Sequence, residues 1–230
     1  MTRCRAVLFD MDDTLYPERR FALSGFRAVA HEVERRVDVP AREVFAELRR
    51  ALSDGARAAA FQRVCGRFAL DPTIVPDLVR VLRTHPARLR LPREAERLLV
   101  RLRSRFRLAI VTNGPVEMQR NKVEALGLRR LVDEVIYAVE HGGVGKPDAA
   151  PFLAALDRLD VEVDRAVHVG DDPERDVAGG RAVGLKTVRV RWLTRDRFQP
   201  TPEDEADEVV DRLDEVPAAL DRLCGGDDAV

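Results

Sequence analysis

The sequence has little lysine, few aromatic residues and almost no net charge. Lysine occurs only at positions 122, 146 and 186, so arginine supplies 36 of the 39 basic residues, and aromatic residues make up 5% of the chain. No apolar run approaches the roughly 20 residues that a membrane-spanning helix requires. The net charge of −1 argues against a dedicated nucleic-acid-binding protein. The composition, 45% hydrophobic and 34% charged over 230 residues, is typical of a globular protein with ample material for a core.

Cysteine is scarce as well. The three cysteines, Cys4, Cys65 and Cys224, are odd in number and scattered, which predicts neither a disulfide framework nor a cysteine metal cluster. The chain enters its first apolar run at Ala6, which leaves no room for a signal peptide. We therefore expect a cytoplasmic protein that associates with neither membrane nor nucleic acid.

Short apolar runs alternate with helical patterns along most of the chain. Apolar runs of strand length begin at Ala6, Leu108, Glu134, Ala166 and Lys186, and the segments from residue 92 onward that separate them have helical periodicity. Such alternation predicts an α/β fold, a three-layer α/β/α core around a parallel sheet with right-handed crossovers.

One long segment interrupts this alternation. Residues 21–85 carry a helical pattern throughout, divisible into four helices, and they are too long for an ordinary loop. We expect a core domain formed by residues 1–16 and 90–224, an all-helical cap domain formed by residues 17–89, and a flexible tail at residues 225–230.

Three carboxylates follow the first predicted strand: Asp10, Asp12 and Asp13. Residues i and i+2 of an extended chain point to one side, so Asp10 and Asp12 can face the same pocket. Two like charges at close range raise a pKa unless a cation lies between them. The pair therefore indicates Mg²⁺, which prefers oxygen ligands, or a carboxyl kept protonated as an acid. An acidic turn or helix cap after a strand is the structural alternative.

A further group of aspartates follows the strand that begins at Ala166. Ligands of parallel sheets bind beyond the carboxyl ends of the strands, so Asp171 brings a third carboxylate towards Asp10 and Asp12. Three anions in one cleft are best explained as an oxygen cage for Mg²⁺. Asp176 would then orient a metal-bound water or pair with a cation. Asp172 either holds a metal-bound water or caps the following helix.

Two more polar segments end at the same edge. Thr112 and Asn113 offer a hydroxyl, an amide and backbone N–H groups that suit phosphoryl oxygens, although a turn stabilised by the threonine hydroxyl explains them equally well. Lys146 lies in a glycine-rich loop of a chain that uses arginine about twelve times in thirteen, which favours a role for a compact ammonium over a solvated loop cation. Phosphoryl transfer, which depends mainly on positioning and charge neutralisation, needs little more than this set.

These residues together resemble, in order, the four motifs of the haloacid dehalogenase superfamily. The matching positions are Asp10-x-Asp12-x-Thr14, Thr112, Lys146 and Gly170-Asp171-x-x-x-x-Asp176. The resemblance spans essentially the whole chain, implies a Rossmann-like core, and likens the helical segment to that superfamily's four-helix cap.

The resemblance also implies roles for these residues. Asp10 would be the nucleophile that forms an aspartyl-phosphate, and Asp12 the acid that protonates the leaving oxygen and then the base that activates water. Thr112 and Lys146 would hold the phosphoryl group. Mg²⁺ would be bound by Asp10, the backbone carbonyl of Asp12, and Asp171. Asp176 would lie behind these ligands and contact them rather than the metal.

The expected function is thus a Mg²⁺-dependent phosphatase of a small phosphorylated metabolite, a sugar phosphate or a nucleoside monophosphate, acting as a monomer or homodimer. The alternatives within the superfamily are a phosphomutase and a dehalogenase that attacks carbon without a metal. Asp12 favours phosphate chemistry, since the matching position of the dehalogenase branch is not an acid. The mutase pattern resembling β-phosphoglucomutase favours glycine where this chain has Asp13.

Overall fold

The computed structural model describes residues 4–195 and 197–225. The chain divides into two compact units, one formed by the residues up to Pro17 together with those from Arg90 onward, the other by Glu18–Leu89. No helix among the described residues is long and apolar enough to cross a membrane. The predicted tail at residues 225–230 lies, except for Gly225, outside the described part of the chain.

The first unit is built on a six-stranded parallel sheet. The strands are β1 Ala6–Phe9, β2 Arg107–Thr112, β3 Glu134–Tyr137, β4 Ala166–Gly170, β5 Lys186–Val190 and β6 Glu208–Val210. Their order in the sheet is β3-β2-β1-β4-β5-β6. The predicted α/β class with a parallel sheet is confirmed.

The chain order reverses next to the central strand. From β1 the chain builds β2 and β3 on one side of the sheet, then returns to build β4, β5 and β6 on the other. All four residues of β1 are buried, as expected of a strand covered on both faces. The crevice at the carboxyl ends of β1 and β4 is therefore the place where a doubly wound sheet binds its ligand.

The unit Glu18–Leu89 contains four α-helices. They are α1 Glu18–Arg36, α2 Ala41–Ser53, α3 Ala60–Arg67 and α4 Val75–Thr84. Apolar side chains from all four helices, among them Phe26, Val44, Val64 and Leu78, form one buried cluster. This segment therefore has a hydrophobic core of its own.

Five more helices flank the sheet in the described residues. They are α5 Arg93–Arg103, α6 Val116–Leu126, α7 Ala149–Leu159, α8 Gly179–Ala182 and α9 Val216–Cys224, with a π-helical turn at Pro173–Ala178 before α8. Pro92 lies at the N-cap of α5. Gly127 ends α6 in the left-handed conformation, as a C-terminal glycine does.

The sequence predicted no disulfide framework, and in this the prediction is wrong for two of the three cysteines. Cys4 and Cys224 form a disulfide with their Cα atoms 5.2 Å apart, whereas Cys65 is free and buried. The bond joins the segment before β1 to the end of α9, across a sequence separation of 220 residues. Spacing along the chain could not reveal it, because only the folded sheet brings the two segments together.

Candidate functional site

Asp10 and Asp171 extend from two neighbouring strands. β1 and β4 pair in register, Phe9 with Val169, and the Asp10 N–H donates to the Val169 carbonyl at 2.9 Å. The carboxylates of Asp10 and Asp171 therefore lie side by side beyond the strand ends. With Asp176 they form a buried group in which one oxygen of each lies within 4.8 Å of the others. The carboxylate cluster predicted from the strand ends is thus present in the fold.

Asp176 is held by four donors. One oxygen accepts from Lys146 Nζ at 2.6 Å and from His168 Nε2 at 3.0 Å, and the other accepts from the backbone N–H groups of Asp171 and Asp172, each at 3.1 Å. Burial opposes ionisation of Asp176, but Lys146 and His168 outweigh it and lower the pKa of the carboxyl. With both oxygens engaged, Asp176 is suited to orienting its neighbours rather than to ligating a metal directly.

The glycine before Asp171 makes room for this arrangement. A Cβ added at Gly170 would lie 2.3 Å from Asp176 Cγ, a distance that real Cβ atoms do not reach. Gly170 therefore matters for the close approach of a side chain, and not for an unusual backbone angle.

Lys146 occupies the space between two of the carboxylates. Its Nζ lies 2.6 Å from Asp10 Oδ1 and 2.6 Å from Asp176 Oδ1 and is almost completely buried. Desolvation acts to lower the pKa of Lys146, but the two carboxylates outweigh it and raise the pKa. A solvated loop cation, the alternative considered for this residue, is excluded by this burial.

Asn113 fixes the loop that carries Lys146. Its Oδ1 accepts from the Lys146 N–H and its Nδ2 donates to the Lys146 carbonyl, both at 2.8 Å. A Cβ at Gly145 would lie 2.7 Å from Asn113 Oδ1, so the amide packs directly on the glycine. The side-chain amide that the sequence suggested for phosphate binding is thus engaged in positioning Lys146, which leaves the Asn113 backbone N–H as the group suited to a phosphoryl oxygen.

The three carboxylates of this group carry more negative charge than the single ammonium of Lys146 can neutralise. Burial, together with the charges of Asp10 and Asp176, raises the pKa of Asp171 to about 9. Burial also raises the pKa of Asp10 to about 7, although Lys146 opposes the shift. A second positive charge would relieve this repulsion, and oxygen donors at this spacing fit a hard divalent cation such as Mg²⁺.

Asp12 turns towards a different set of partners. Its Oδ2 accepts from Lys122 Nζ at 2.7 Å and Gln119 Nε2 at 2.9 Å, and its Oδ1 accepts from the Tyr16 hydroxyl at 2.6 Å. Burial acts to raise the pKa of Asp12, but Lys122 and these hydrogen bonds outweigh it and lower the pKa. The carboxylate form of Asp12 is therefore the stable one.

The sequence interpretation missed these three partners. Gln119 and Lys122 lie on α6, and Tyr16 ends the segment before Pro17. The signal that drew attention to Lys146, a lysine in a chain that otherwise uses arginine, also marks Lys122. No comparable signal marks Gln119 or Tyr16.

The hydrogen bonds of Thr112 and Asp172 bear on the alternative roles considered for each residue. The Thr112 hydroxyl is buried at the end of β2 and accepts from Gln119 Nε2 at 2.6 Å, so its own hydrogen is available to another acceptor. Asp172 Oδ1 accepts from the backbone N–H groups of Glu174 and Arg175, each at 3.0 Å. Asp172 is therefore a helix cap, the second of the two roles considered for it.

The segment after Asp12 is tied to the β5–β6 connection. Asp13 has a φ of 59°, in the left-handed region that favours glycine, and its carboxylate pairs with Arg197 at 3.2 Å. The Thr14 hydroxyl donates to Asp171 Oδ1 at 3.3 Å, and the Thr14 carbonyl accepts from Trp192 Nε1 at 2.8 Å. The single tryptophan thus contacts the loop that carries the leading aspartates.

Comparison with known proteins gives consistent results. A family model described as haloacid dehalogenase-like hydrolase matches residues 4–184. The glyceraldehyde 3-phosphate phosphatase of Methanopyrus kandleri is 32% identical over 218 residues, which cover 90% of this chain and 93% of that protein. The ribulose-1,5-bisphosphate 5-phosphatase of Halopiger xanaduensis is 34% identical over 223 residues, 90% of each chain. Among solved structures, the magnesium-bound HAD-hydrolase YfnB of Bacillus subtilis has a similar fold, with a TM-score of 0.70 and 22% identity over 95% of this chain and 99% of that one.

Proposed function

The chain belongs to the haloacid dehalogenase-like hydrolases, as its four motifs indicated, and from this we propose that it is a Mg²⁺-dependent phosphatase of small phosphorylated metabolites. The observation that carries the proposal is the buried group of Asp10, Asp171 and Asp176 around Lys146. Its surplus of negative charge calls for a divalent cation, and the adjacent Thr112 hydroxyl and Lys146 ammonium suit a phosphoryl group.

In the proposed reaction Asp10 is the nucleophile. Its free carboxylate oxygen forms a bond to phosphorus while the bond from phosphorus to the ester oxygen breaks, which leaves an aspartyl-phosphate. Because the carboxylate form of Asp12 is the stable one, Asp12 first takes up a proton from solvent and then gives it to the departing oxygen. It then takes a proton from the water that attacks the aspartyl-phosphate, which regenerates Asp10 and releases inorganic phosphate.

The other residues bind and orient. Lys146 and Thr112 hold the phosphoryl oxygens, and Asp176 keeps Lys146 and the backbone of Asp171 in place. Asp10 and Asp171, with the backbone carbonyl of Asp12, would hold Mg²⁺, which supplies positive charge against the phosphoryl oxygens when bound. Asp176, whose oxygens are already engaged, acts behind these ligands.

The two relatives named above suggest the substrate class. They are named for a triose phosphate and a pentulose bisphosphate, so we infer a small sugar phosphate for this chain, with nucleoside monophosphates as the next group to test. The helical unit Glu18–Leu89 is proposed as the cap that selects the substrate. The cytoplasmic location and the monomeric or dimeric state belong to the same proposal, and cell fractionation and light scattering would test them.

A dehalogenase or a mutase is less well supported. A dehalogenase needs no metal, whereas this site concentrates negative charge, and it has no use for the acid–base group that Asp12 provides. Asp13 occupies the left-handed position where the mutase pattern favours glycine, and its carboxylate is paired with Arg197. No observation on the described residues specifically favours either alternative.

A phosphate-release assay tests the proposal. The full-length protein is screened against a panel of phosphorylated metabolites in Mg²⁺ and in excess chelator, alongside Asp10→Asn and the control Asp160→Asn. Asp160 is exposed at the end of α7 with a φ of 52°, a conformation that asparagine adopts readily. We expect turnover of sugar phosphates that is lost in chelator and in Asp10→Asn but kept in the control. Undiminished turnover without metal, or in Asp10→Asn, would refute the proposal.

A further inference from the structure

Two buried polar side chains of α6 point at the candidate site. Gln119 and Lys122 are three residues apart, which places them on one face of the helix, and both are completely buried. Lysine is almost never fully buried unless it is paired. Neither residue was among the four motifs, so the structure adds them to the site.

Gln119 contacts two groups with one nitrogen. Its Nε2 donates to Asp12 Oδ2 at 2.9 Å and to Thr112 Oγ1 at 2.6 Å. Because a carboxylate only accepts hydrogen bonds, the contact with Asp12 fixes which end of the amide faces the site. The second amide hydrogen then occupies the Thr112 oxygen, so the Thr112 hydroxyl must donate its own hydrogen elsewhere. Gln119 thereby makes Thr112 a donor, as a group that binds phosphoryl oxygens must be.

Lys122 donates to the same Asp12 oxygen as Gln119 does. Its Nζ contacts Asp12 Oδ2 at 2.7 Å, beside the Gln119 contact, while Tyr16 contacts the other oxygen. The carboxylate is therefore fixed in orientation by three side chains and in charge by one of them.

This arrangement leaves one polar atom of Gln119 without a hydrogen bond from any described residue. Its Oε1 is buried and has no hydrogen-bond partner within the described part of the chain. A buried acceptor left unsatisfied destabilises the folded protein, because it has lost its hydrogen bond to water without gaining another. A glutamine retained only for packing would be expected to satisfy both ends of its amide, so the unsatisfied oxygen points to a role in the site.

We propose that Gln119 and Lys122 are positioning residues: Gln119 couples the phosphate-binding hydroxyl of Thr112 to Asp12, and Lys122 holds the Asp12 carboxylate. The inference rests on the proposed function, because it assigns Thr112 to phosphate binding and Asp12 to proton transfer. It predicts a division of effects: replacing Gln119 weakens phosphate binding and turnover, whereas replacing Lys122 slows turnover with little effect on phosphate affinity.

The test compares Gln119→Leu and Lys122→Met with Glu117→Gln, an exposed position on the same helix. Calorimetry measures the binding of inorganic phosphate in Mg²⁺. The kcat and KM are determined with p-nitrophenyl phosphate, and thermal unfolding gives the Tm of each variant. For Gln119→Leu we expect a phosphate Kd raised about 3- to 10-fold, the worth of one hydrogen bond, at an unchanged or higher Tm. A purely structural residue would instead lower the Tm and leave the Kd as in the control.

The double variant with Asp12→Asn separates the two contacts. There the effect of Gln119→Leu on phosphate affinity should persist, because it acts through Thr112, whereas its effect on kcat should disappear. If Gln119→Leu fails to fold, Gln119→Met is measured in the same way, and failure of both would assign the residue to folding and overturn the inference.

Equal phosphate affinity in Gln119→Leu and Glu117→Gln would also overturn the inference, and so would equal losses of phosphate affinity in Gln119→Leu and Lys122→Met. The proposed function fails separately, if the wild-type protein shows no Mg²⁺-dependent turnover. Phosphate binding still reports on Thr112 in that case.

Discussion

Lys146 Nζ lies 2.6 Å from Asp10 Oδ1, and this contact joins the nucleophile candidate to a loop 136 residues further along the chain. The same ammonium contacts Asp176, so removing it would leave two buried carboxylates without their cation. Breaking a buried ion pair by removing one partner destabilises by about 3–5 kcal/mol.

The first prediction follows from that contact. Lys146→Met should lose a comparable free energy of unfolding in metal-free buffer and recover part of it in Mg²⁺, because the added cation replaces some of the lost charge. Chemical denaturation with and without Mg²⁺ measures this. Lys186→Met is the matched control, since Lys186 is exposed on β5. Equal stability losses in the two variants would contradict the assignment.

The second prediction concerns pH in the absence of metal. Burial and neighbouring carboxylates raise the folded-state pKa of Asp171 to about 9 and that of Asp10 to about 7, whereas an aspartate in the unfolded chain has a pKa near 3.8. Between pH 4 and pH 9 the folded protein holds protons on these two groups that the unfolded chain has released. The stability that Asp10 and Asp171 contribute is therefore full below about pH 4 and is lost as the pH rises through 7 and 9. The Tm in chelator should therefore decline from pH 5 to pH 9.

Mg²⁺ should flatten this decline, because it binds the ionised carboxylates and displaces their protons. Asp171→Asn removes the group with the highest shifted pKa and should also flatten the profile in chelator. A Tm in chelator that rises steadily from pH 5 to pH 9 would show that the carboxylates are not repelling one another.

The third prediction tests the close approach at Gly170. Gly170→Ala places a Cβ 2.3 Å from Asp176 Cγ, and Asp176 cannot move aside without losing its four hydrogen bonds. We expect metal affinity or turnover to fall about 10- to 100-fold, the range for groups that support metal ligands. Gly66→Ala on α3 is the control, because nothing lies within 4 Å of its added Cβ. Titration of Mg²⁺ against intrinsic fluorescence suits both variants, since Trp192 contacts Thr14.

The fourth prediction separates the two leading aspartates. Asp10→Asn should abolish both phosphoenzyme formation and turnover. Asp12→Asn should slow hydrolysis of an alkyl phosphate by at least the ~10²–10⁴-fold typical of general acid–base groups. With p-nitrophenyl phosphate, whose leaving group needs no proton, the first step should survive better than the second, so the phosphoenzyme accumulates and can be trapped in acid. Equal slowing of both substrates without a trapped phosphoenzyme would make Asp12 only a charge near the metal.

The sequence predicted those parts of the site that local pattern determines. Asp10, Thr112 and Asp171 each follow an apolar run directly, so strand length and the parallel topology were enough to bring them to one edge. The partners of Asp12 could not be found in this way, because Gln119 and Lys122 lie inside a helix whose burial depends on the finished fold.

Two further features needed the folded structure for related reasons. Asn113 could be recognised as polar and well placed, but its hydrogen bonds to the backbone of Lys146 depend on a loop that lies 33 residues further along the chain. His168 lies within β4 among apolar residues, so the sequence does not mark it as part of the site. Its Nε2 has a partner only because Asp176 packs over Gly170 in the folded structure.

The Cys4–Cys224 bond closes a covalent ring that contains every residue from 4 to 224, and both of its cysteines belong to the first unit. Cys4 precedes the amino end of β1, whereas Asp10 follows its carboxyl end. The bond between Cys4 and Cys224 therefore lies beyond the amino end of β1, at the edge of the sheet opposite the carboxylates, and it ties the first and last parts of the described chain together away from the candidate site.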